Sequence, residues 1–272
     1  MERDVFFVSD RTGITAETLG LSLLTQFNGI KFVKHTRRFV NSLEKAREVG
    51  EEITRLAREK GRPPIVFSTL IDEDMRRALA TADGVFFDLV DTFIVPLEGA
   101  LDQKSSHTIG RARESLDQSK YNLRMDAVNY ALITDDGLHT QDYNRADVII
   151  LGVSRSGKTP SCLYLALTFG VYAANYPLTE EDLEDLRLPS ALVGHRHLLY
   201  GLTISPQRLH HVRSERKADS PYASLRRCQY EIAQAEALYR REGIPYIDTT
   251  TMSVEEIATT ILHQMKLAWR LA

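Results

Sequence analysis

Residues 152–159 read Gly152-Val153-Ser154-Arg155-Ser156-Gly157-Lys158-Thr159, which fits the phosphate-binding P-loop pattern G-x-x-x-x-G-K-[ST] without a gap. The apolar, β-branched run before this motif predicts a buried strand over 147–151. The stretch after it, 160–169, is apolar and compatible with a helix that ends at Gly170. A strand, a glycine-rich loop and a helix in this order predict a cradle for nucleotide phosphates.

Each residue type of the motif has a part in this chemistry. The glycines let backbone N–H groups point at the α- and β-phosphates, and the helix N-terminus adds a favourable dipole. Lys158 is predicted to reach the terminal phosphates as a catalytic residue, and the Thr159 hydroxyl to hold Mg²⁺. The alternative is a glycine-rich turn without a ligand. The predicted nucleotide-binding residues are Gly152, Val153, Ser154, Arg155, Ser156, Gly157, Lys158 and Thr159.

The composition is ordinary for a soluble globular protein, with 272 residues of which 43% are hydrophobic and 26% charged. A net charge of −3 gives no reason to expect nucleic-acid binding. We expect no membrane association, since no apolar stretch approaches the ~20 residues that cross a bilayer. With no signal peptide visible and two distant cysteines, Cys162 and Cys228, a reducing cytoplasm is expected. Cys162 is predicted to be a buried filler.

The N-terminal half alternates apolar runs with amphipathic stretches. Strands are predicted over 5–8, 30–33, 64–68 and 85–87, and helices over 16–27, 42–60 and 72–82. Asn41 is the candidate N-cap of the second helix, with Glu44 three residues on. Strands that alternate with helices indicate parallel βαβ units.

The second half follows the same alternation after an interruption. Residues 101–120 are polar with little periodicity and predict a connector or mobile loop, and a helix over 125–133 follows. Further strands are predicted over 173–176, 199–204 and 244–247, and helices over 222–241 and 254–265, the last capped by Ser253 with Glu256. We therefore predict an α/β fold with an N-terminal parallel-sheet domain over 1–100, a connector with a helix over 101–145, and a P-loop kinase-like nucleotide-binding domain over 146–272.

A P-loop enzyme also needs an acid that orients Mg²⁺. The predicted strand over 199–204 is followed by Ser205, whereas the strand over 244–247 is followed by Asp248. Asp248 is therefore the candidate catalytic carboxylate on the metal side. The alternative is a strand-end aspartate that caps the next turn.

The first predicted strand leads into a second candidate loop, Ser9-Asp10-Arg11-Thr12-Gly13-Ile14-Thr15-Ala16-Glu17. It lies at the carboxyl edge of a parallel sheet, where open α/β folds bind ligands. Asp10 is a candidate catalytic residue here, and the loop could hold phosphate or an acceptor side chain. It has no lysine and is not a second P-loop. A purely structural role, with Thr15 as helix N-cap, is the alternative.

Basic residues gather between 208 and 227. In P-loop kinases such a segment often closes over the transferred phosphoryl group, because arginine matches phosphate oxygens. A solvated helix face is the alternative, since acidic residues are interspersed. The residues are Arg208, Arg213, Arg216, Lys217, Arg226 and Arg227.

Several stretches of sequence outside the P-loop motif also resemble those of a known protein family. The chain resembles, over essentially its whole length, the bacterial regulatory proteins of phosphoenolpyruvate synthase and the related pyruvate, phosphate dikinase regulators. One departure is Arg11, where such proteins often carry a small residue. The blocks are residues 8–10 with 12–17, then 152–160, 173–178, 201–204, 222–224 and 253–258.

The resemblance implies a bifunctional serine/threonine kinase and phosphorylase. Such proteins phosphorylate a threonine of their target dikinase with ADP as donor, which inactivates the target. They remove that phosphate with inorganic phosphate as co-substrate and release pyrophosphate. Residues 151–160 and Arg213 to Lys217 look closer to the phosphoenolpyruvate synthase branch, with pyruvate, phosphate dikinase as the other target. A homodimer is expected only from the class of protein.

Two other functions fit the P-loop alone. One is an ATP-dependent kinase of a small molecule, with the N-terminal half as its substrate domain. The other is a nucleotide-sensing switch that binds a partner without transferring phosphate. The P-loop pattern does not distinguish ADP from ATP. Of the three functions, only the bifunctional regulator of a dikinase accounts for the sequence blocks outside the P-loop.

Overall fold

The computed structural model describes residues 2–105, 118–217 and 220–270. The chain divides into two compact units, Met1–Ser115 and Leu116–Ala272. Most of the predicted connector loop falls on 106–117 and lies outside the described residues. The helix predicted over 125–133 belongs to the second unit.

The first unit is built on a four-stranded sheet with the order β2-β1-β3-β4, in which all neighbours are parallel. Its strands are β1 (Glu2–Val8), β2 (Lys31–Arg37), β3 (Ile65–Ser68) and β4 (Val85–Asp88). Its helices are α1 (Ile14–Leu24), α2 (Leu43–Lys60), α3 (Glu73–Ala80) and α4 (Asp91–Leu101).

Both faces of β1 are buried, which explains its continuous apolar run. Phe6 packs in a core cluster with residues of α2 and α3, whereas Phe7 packs in a second cluster with residues of α1. A methyl group on Gly20 of α1 would lie 2.6 Å from the Phe7 ring. The glycine therefore lets α1 lie close against the sheet.

Two predicted helix caps in this unit are wrong. Ser42, not Asn41, caps α2, because its extended backbone lets its Oγ accept the Lys45 N–H at 3.3 Å. The Asn41 side chain instead accepts a hydrogen bond from the Lys45 ammonium group. Helix α1 begins at Ile14, so Thr15 lies inside it, and Gly13 takes the cap position with a left-handed φ of 75°.

The second unit repeats this topology, with the parallel strand order β6-β5-β7-β8. Its strands are β5 (Val148–Gly152), β6 (Ala173–Pro177), β7 (Leu199–Thr203) and β8 (Tyr246–Asp248). Its helices are α5 (Gln118–Ile133), α6 (Lys158–Tyr164), α7 (Glu180–Asp185), α8 (Ser190–Val193), α9 (Pro206–Arg216), α10 (Leu225–Glu242) and α11 (Val254–Gln264). The predicted α/β class with two parallel-sheet halves is confirmed.

Strand β5 runs through the centre of this unit, and all five of its residues are buried. Ile149 and Leu151 point into one core cluster, and Val148 and Ile150 into the other. The central position of β5 fixes where the loop that follows it lies. Within the described ranges, no helix has the length and apolar character needed to cross a membrane.

Candidate functional site

The motif singled out in the sequence, Gly152–Thr159, forms a loop between the carboxyl end of β5 and helix α6, and we call it the glycine loop. The chain leaves β5 for β6 on one side and then crosses back to β7 on the other side of β5. Open α/β sheets bind ligands where the strand order reverses in this way. The loop therefore lies at the position of the sheet best suited to a ligand.

The loop backbone bends through two left-handed residues, Arg155 at φ 77° and Gly157 at φ 99°. Gly157 comes directly before α6, and no side chain caps the helix there. Helix α6 continues without a break into a π-helical turn over Leu165–Phe169, and Gly170 follows with a left-handed φ. The first-turn N–H groups of this helical segment are thus available to an acceptor outside the helix.

Two further residues of the loop are in close contact. A methyl group on Gly152 would lie 2.5 Å from the Ser156 Oγ and 3.0 Å from the Leu202 carbonyl oxygen. The Ser156 Oγ is itself buried, and it makes no hydrogen bond to a described residue. Glycine at 152 therefore has a steric cause, and the loop keeps one polar atom without a protein partner.

Lys158 is buried, with 4% of its surface exposed, and its Nζ donates to the Val153 carbonyl oxygen at 3.1 Å. Burial lowers the pKa of Lys158 to about 8, against the charges of Asp136 and Asp135, which raise it. A buried ammonium group bonded to a neutral carbonyl is poorly compensated. A phosphate anion in the loop would be a stronger partner.

An acid that the sequence analysis did not single out lies beside the last loop residue. The Thr159 hydroxyl donates to the Asp135 Oδ1 at 2.8 Å. Asp135 belongs to the tight turn Asp135–Gly137 that follows α5, in which Asp136 has a left-handed φ of 51°.

The turn is held by Asn175 of β6, which is fully buried. The Asn175 amide nitrogen donates to the Asp135 Oδ1, and its amide oxygen accepts the Asp136 N–H at 3.0 Å. The Tyr143 hydroxyl in turn donates to the Asn175 carbonyl oxygen at 3.0 Å. Asp135 is therefore fixed from a neighbouring strand.

The basic segment contains one arginine that is completely buried, Arg213 of α9. It donates to the Ser154 carbonyl oxygen of the glycine loop and pairs with Glu231 at 2.6 Å. Its guanidinium lies 4.2 Å from the centre of the Tyr222 ring, and the Tyr222 hydroxyl lies 2.9 Å from the Ser154 Oγ. Arg213 thus holds the Ser154 carbonyl group of the loop in one orientation.

The other basic residues of the segment differ from Arg213. Arg227 is half-buried and bonded to Glu231 and Glu180. The rest are exposed, as a solvated helix face requires: Arg208, Arg216, Lys217 and Arg226. Of these six basic residues, Arg213 is the one whose hydrogen bonds reach the glycine loop.

Asp248 ends β8, two strands away from β5. It is exposed, and its Oδ1 accepts hydrogen bonds from the Thr250 N–H at 2.9 Å and from the Thr250 hydroxyl. The next residue, Thr249, is buried and donates to the Ser156 carbonyl oxygen at 3.2 Å. The structure thus brings Thr249 rather than Asp248 into contact with the loop, and the metal-side role of Asp248 stays a prediction.

Asp10 belongs to the first unit, in the loop after the central strand β1. It is buried, and its Oδ2 has no hydrogen-bond partner among the described residues. Burial raises the pKa of the Asp10 carboxyl, and the nearby charge of Arg11 acts in the opposite direction. Carboxyl groups with a perturbed pKa cluster at functional sites. Asp10 therefore remains a candidate catalytic residue.

Neither cysteine provides a reactive thiol. Cys162 of α6 and Cys228 of α10 are both buried, and burial raises the pKa of both thiols. The prediction of Cys162 as a buried filler is confirmed.

The sequence profile of the kinase/pyrophosphorylase family matches residues 5–262. The chain belongs to this family. A kinase/pyrophosphorylase transfers phosphoryl groups, in agreement with a loop whose buried lysine bonds to a backbone carbonyl and has no carboxylate partner among the described residues. The family resemblance seen in the sequence blocks is therefore confirmed.

Three relatives cover almost the whole kinase/pyrophosphorylase chain, and each carries the name "Putative phosphoenolpyruvate synthase regulatory protein". The relative from Alkalilimnicola ehrlichii is 58% identical over 269 residues, which are 99% of this chain and 98% of the relative. The relative from Halorhodospira halophila is also 58% identical over 269 residues, or 98% of each chain. That from Pseudomonas fluorescens is 51% identical over 262 residues, or 96% of each.

Proposed function

We propose that this protein regulates phosphoenolpyruvate synthase (pyruvate, water dikinase) by phosphorylating and dephosphorylating one of its threonines. In the kinase direction ADP is the donor and the target is inactivated. In the reverse direction inorganic phosphate takes the phosphoryl group and the target is reactivated. The family and the names of its relatives support this function, and the glycine loop supplies a site for the chemistry.

The kinase step balances as a transfer of the β-phosphoryl group. The threonine oxygen attacks the β-phosphorus, the bond from that phosphorus to the bridging oxygen breaks, and AMP leaves. The threonine proton passes to a base. Backbone N–H groups of the glycine loop and the Lys158 ammonium group would bind the α- and β-phosphates and stabilise the charge that develops on them.

The reverse step is a phosphorolysis. An oxygen of inorganic phosphate attacks the phosphorus of phosphothreonine, the threonine oxygen leaves with a proton, and pyrophosphate forms. Pyrophosphate resembles the two phosphates of ADP in charge and length. The same glycine loop is therefore suited to hold the product of this direction.

Mg²⁺ bound at Thr159 would supply positive charge to the phosphate oxygens when present. The oxygen atoms of Thr159 and Asp135, 2.8 Å apart, are the ligand type that Mg²⁺ prefers. Among the described residues, no three His, Cys, Asp or Glu side chains form a group that could hold a metal by themselves. An ion here would depend on phosphate oxygens for its remaining ligands.

The observation that carries the proposal is the burial of Lys158 against the Val153 carbonyl oxygen. A structural lysine would be paired with a carboxylate or extend its ammonium group to water. Among the described residues Lys158 has no carboxylate partner, and its ammonium group is buried, so phosphate in the loop would be its charge partner.

The deciding experiment uses ADP labelled at the β-phosphate. Phosphoenolpyruvate synthase is incubated with the protein and ADP, with and without phosphoenolpyruvate to charge its catalytic histidine. We expect label on a target threonine, lost with pyrophosphate release when phosphate is added. Lys158→Ala should lower transfer at least ~100-fold. Arg187→Ala, which removes an exposed cation of the same unit, should leave transfer unchanged.

Three other outcomes would each lead to a different conclusion. Label on pyruvate, phosphate dikinase but not on phosphoenolpyruvate synthase would change the target and keep the chemistry. Consumption of ATP with a metabolite and without a protein partner would make the protein a small-molecule kinase. Tight nucleotide binding with no covalent mark on either dikinase would make it a nucleotide-sensing switch.

A further inference from the structure

We propose that Asp135, positioned by Asn175, is the protein carboxylate that holds a divalent cation beside Thr159 when a nucleoside diphosphate occupies the glycine loop. The proposal rests on the proposed function, because the nucleotide supplies the other ligands of the ion. It assigns the metal-side acid to a turn that precedes β5, whereas the sequence pointed to Asp248 at the end of β8.

The contact between Asp135 and Thr159 carries the first step. Their oxygens are 2.8 Å apart, and Thr159 is the motif residue whose hydroxyl binds the metal in P-loop proteins. Mg²⁺ is usually held by one or two protein oxygens together with phosphates and waters. A carboxylate already in contact with that hydroxyl is the group best placed to share the ion.

The rigidity of Asp135 is the second step. Asn175 fixes the Asp135 carboxylate and the Asp136 N–H with the two ends of one fully buried amide. A polar side chain in the centre of a buried strand costs stability unless its hydrogen bonds are made. Asn175 makes them to this turn, which keeps the carboxylate in one orientation before any ligand arrives.

The charge distribution is the third step. Asp135 contacts Thr159, the residue next to Lys158, and Asp136 lies in the same turn as Asp135. Two carboxylates near a cradle for an anion would weaken the binding of bare ADP by repulsion. A divalent cation between the carboxylate and the phosphate would attract both groups, so that the repulsion is replaced by attraction. The acidic turn thus fits a metal–nucleotide complex better than a metal-free nucleotide.

The test compares the affinity for ADP with and without Mn²⁺, measured by calorimetry, in three proteins. We expect wild type to bind ADP more tightly with Mn²⁺, and Asp135→Asn to lose about 10- to 100-fold of that enhancement. Asp135→Asn should bind metal-free ADP at least as tightly as wild type, because a repelling charge is gone. Asp136→Asn is the matched control: it removes the same charge from the same turn without touching Thr159, and asparagine tolerates the left-handed backbone. Like Asp135→Asn, it should strengthen the binding of metal-free ADP, but it should keep the wild-type affinity for ADP with Mn²⁺, which Asp135→Asn loses.

Each other result overturns the assignment. If Asp135→Asn keeps the full enhancement, Asp135 is not the metal-side carboxylate, although the nucleotide site stands. If wild type binds ADP equally with and without Mn²⁺, no cation is shared. If wild type binds no ADP in either condition, the proposed function fails together with this inference.

A second measurement avoids variants, in case Asp135→Asn does not fold. Wild type is incubated with ADP and Fe²⁺ in place of Mg²⁺, and ascorbate with hydrogen peroxide then generates radicals that cut the backbone near the ion. We expect fragments that end near Asp135–Gly137 and near Lys158–Thr159. Cleavage near Asp248 instead would contradict the proposal and return the role to that residue. Asn175→Ala should reduce the Mn²⁺ enhancement about 10-fold while metal-free affinity is kept, as a positioning residue requires.

Discussion

Arg213 donates to the carbonyl oxygen of Ser154 from two of its nitrogens, Nε at 3.3 Å and Nη2 at 3.1 Å. The guanidinium is completely buried, and Glu231 balances its charge. Ser154 lies in the middle of the glycine loop, where its carbonyl must point away from any anion. Arg213 supplies a partner on that far side, so a positive charge outside the phosphate cradle helps to fix its shape.

We expect Arg213→Gln to lower the free energy of unfolding by about 3–5 kcal/mol, because the substitution leaves Glu231 with only Arg227 as an ionic partner. ADP affinity should fall as well, since the Ser154 carbonyl loses its fixed orientation. Arg213→Lys should not restore the affinity, because an ammonium group cannot reproduce the two-nitrogen contact. Urea denaturation and calorimetric titration measure both effects.

The matched control for Arg213 is Arg208→Gln, since Arg208 is an exposed arginine on the same helix. Its stability and ADP affinity should be those of wild type. Equal affinities of Arg213→Gln and wild type in a folded protein would show that the loop keeps its shape without the arginine.

Gly152→Ala should destabilise the protein by about 1–3 kcal/mol, because the new methyl group would lie 2.5 Å from the Ser156 Oγ. Removing that oxygen in the double variant Gly152→Ala, Ser156→Ala should recover only part of the loss. The Leu202 carbonyl oxygen, 3.0 Å away, is backbone and cannot move aside as easily. Thermal unfolding of the two single variants and the double variant forms the cycle that measures this coupling.

Gly194→Ala provides the control for this cycle, since nothing lies within 4 Å of a methyl group at that position. Its unfolding temperature should stay close to that of wild type. Additive effects of the changes at 152 and 156 would contradict the steric explanation.

Asp10→Asn should raise the unfolding temperature at neutral pH, because it removes a buried charge whose Oδ2 lacks a partner. Burial raises the pKa of Asp10, so the ionised form destabilises the folded state above that raised pKa. The cost disappears as the pH falls below the ordinary value of the carboxyl group, where it is protonated in both states. The stability gain of Asp10→Asn should therefore shrink as the pH is lowered from 7 toward 4.

The same variant tests the candidate catalytic role of Asp10. Loss of threonine phosphorylation together with the gain in stability would mark Asp10 as a functional residue that is kept at a cost to stability. Full transfer activity in the stabilised variant would leave Asp10 without a part in the reaction. Asp83→Asn, an exposed aspartate of the same unit, serves as control and should change neither property.

Neither cysteine of the native protein should react with a water-soluble thiol reagent at pH 7. Both side chains are buried and burial raises the pKa of both thiols, so little thiolate is present or accessible. In denaturant both thiols should react. The labelling is measured by absorbance. If one thiol reacts rapidly in the folded protein, the packing around α6 or α10 opens more readily than the structure indicates.

The fold class is predictable from the sequence because the central strands β1 and β5 are buried on both faces. Strand β5 is an unbroken apolar run, and α11 carries a complete capping box of Ser253 and Glu256, as predicted. Helix α9 carries few apolar residues, and its sequence predicts only a basic segment. Helices α7 and α8 are too short to show a period. Local patterns thus identify the elements with strong periodicity and miss the polar or short ones.

The candidate site is predictable only where its residues are consecutive. The glycine loop lies in one stretch of sequence, whereas Asp135 and Asn175 are 40 residues apart and meet where the turn after α5 contacts β6. The pair did leave a local signal, since Asn175 is a polar residue in an otherwise apolar strand. No pattern in the sequence connects it to Asp135, because that contact exists only in the folded unit.

The hydrogen bond from Thr249 to the Ser156 carbonyl oxygen joins residues 93 positions apart. During translation at roughly 5–20 residues per second, the segment that carries Thr249 follows the glycine loop by about 5–20 s. For that interval the nascent chain contains the complete motif without the threonine that donates to its Ser156 carbonyl oxygen. This contact of the loop can therefore form only when nearly the whole chain has been made.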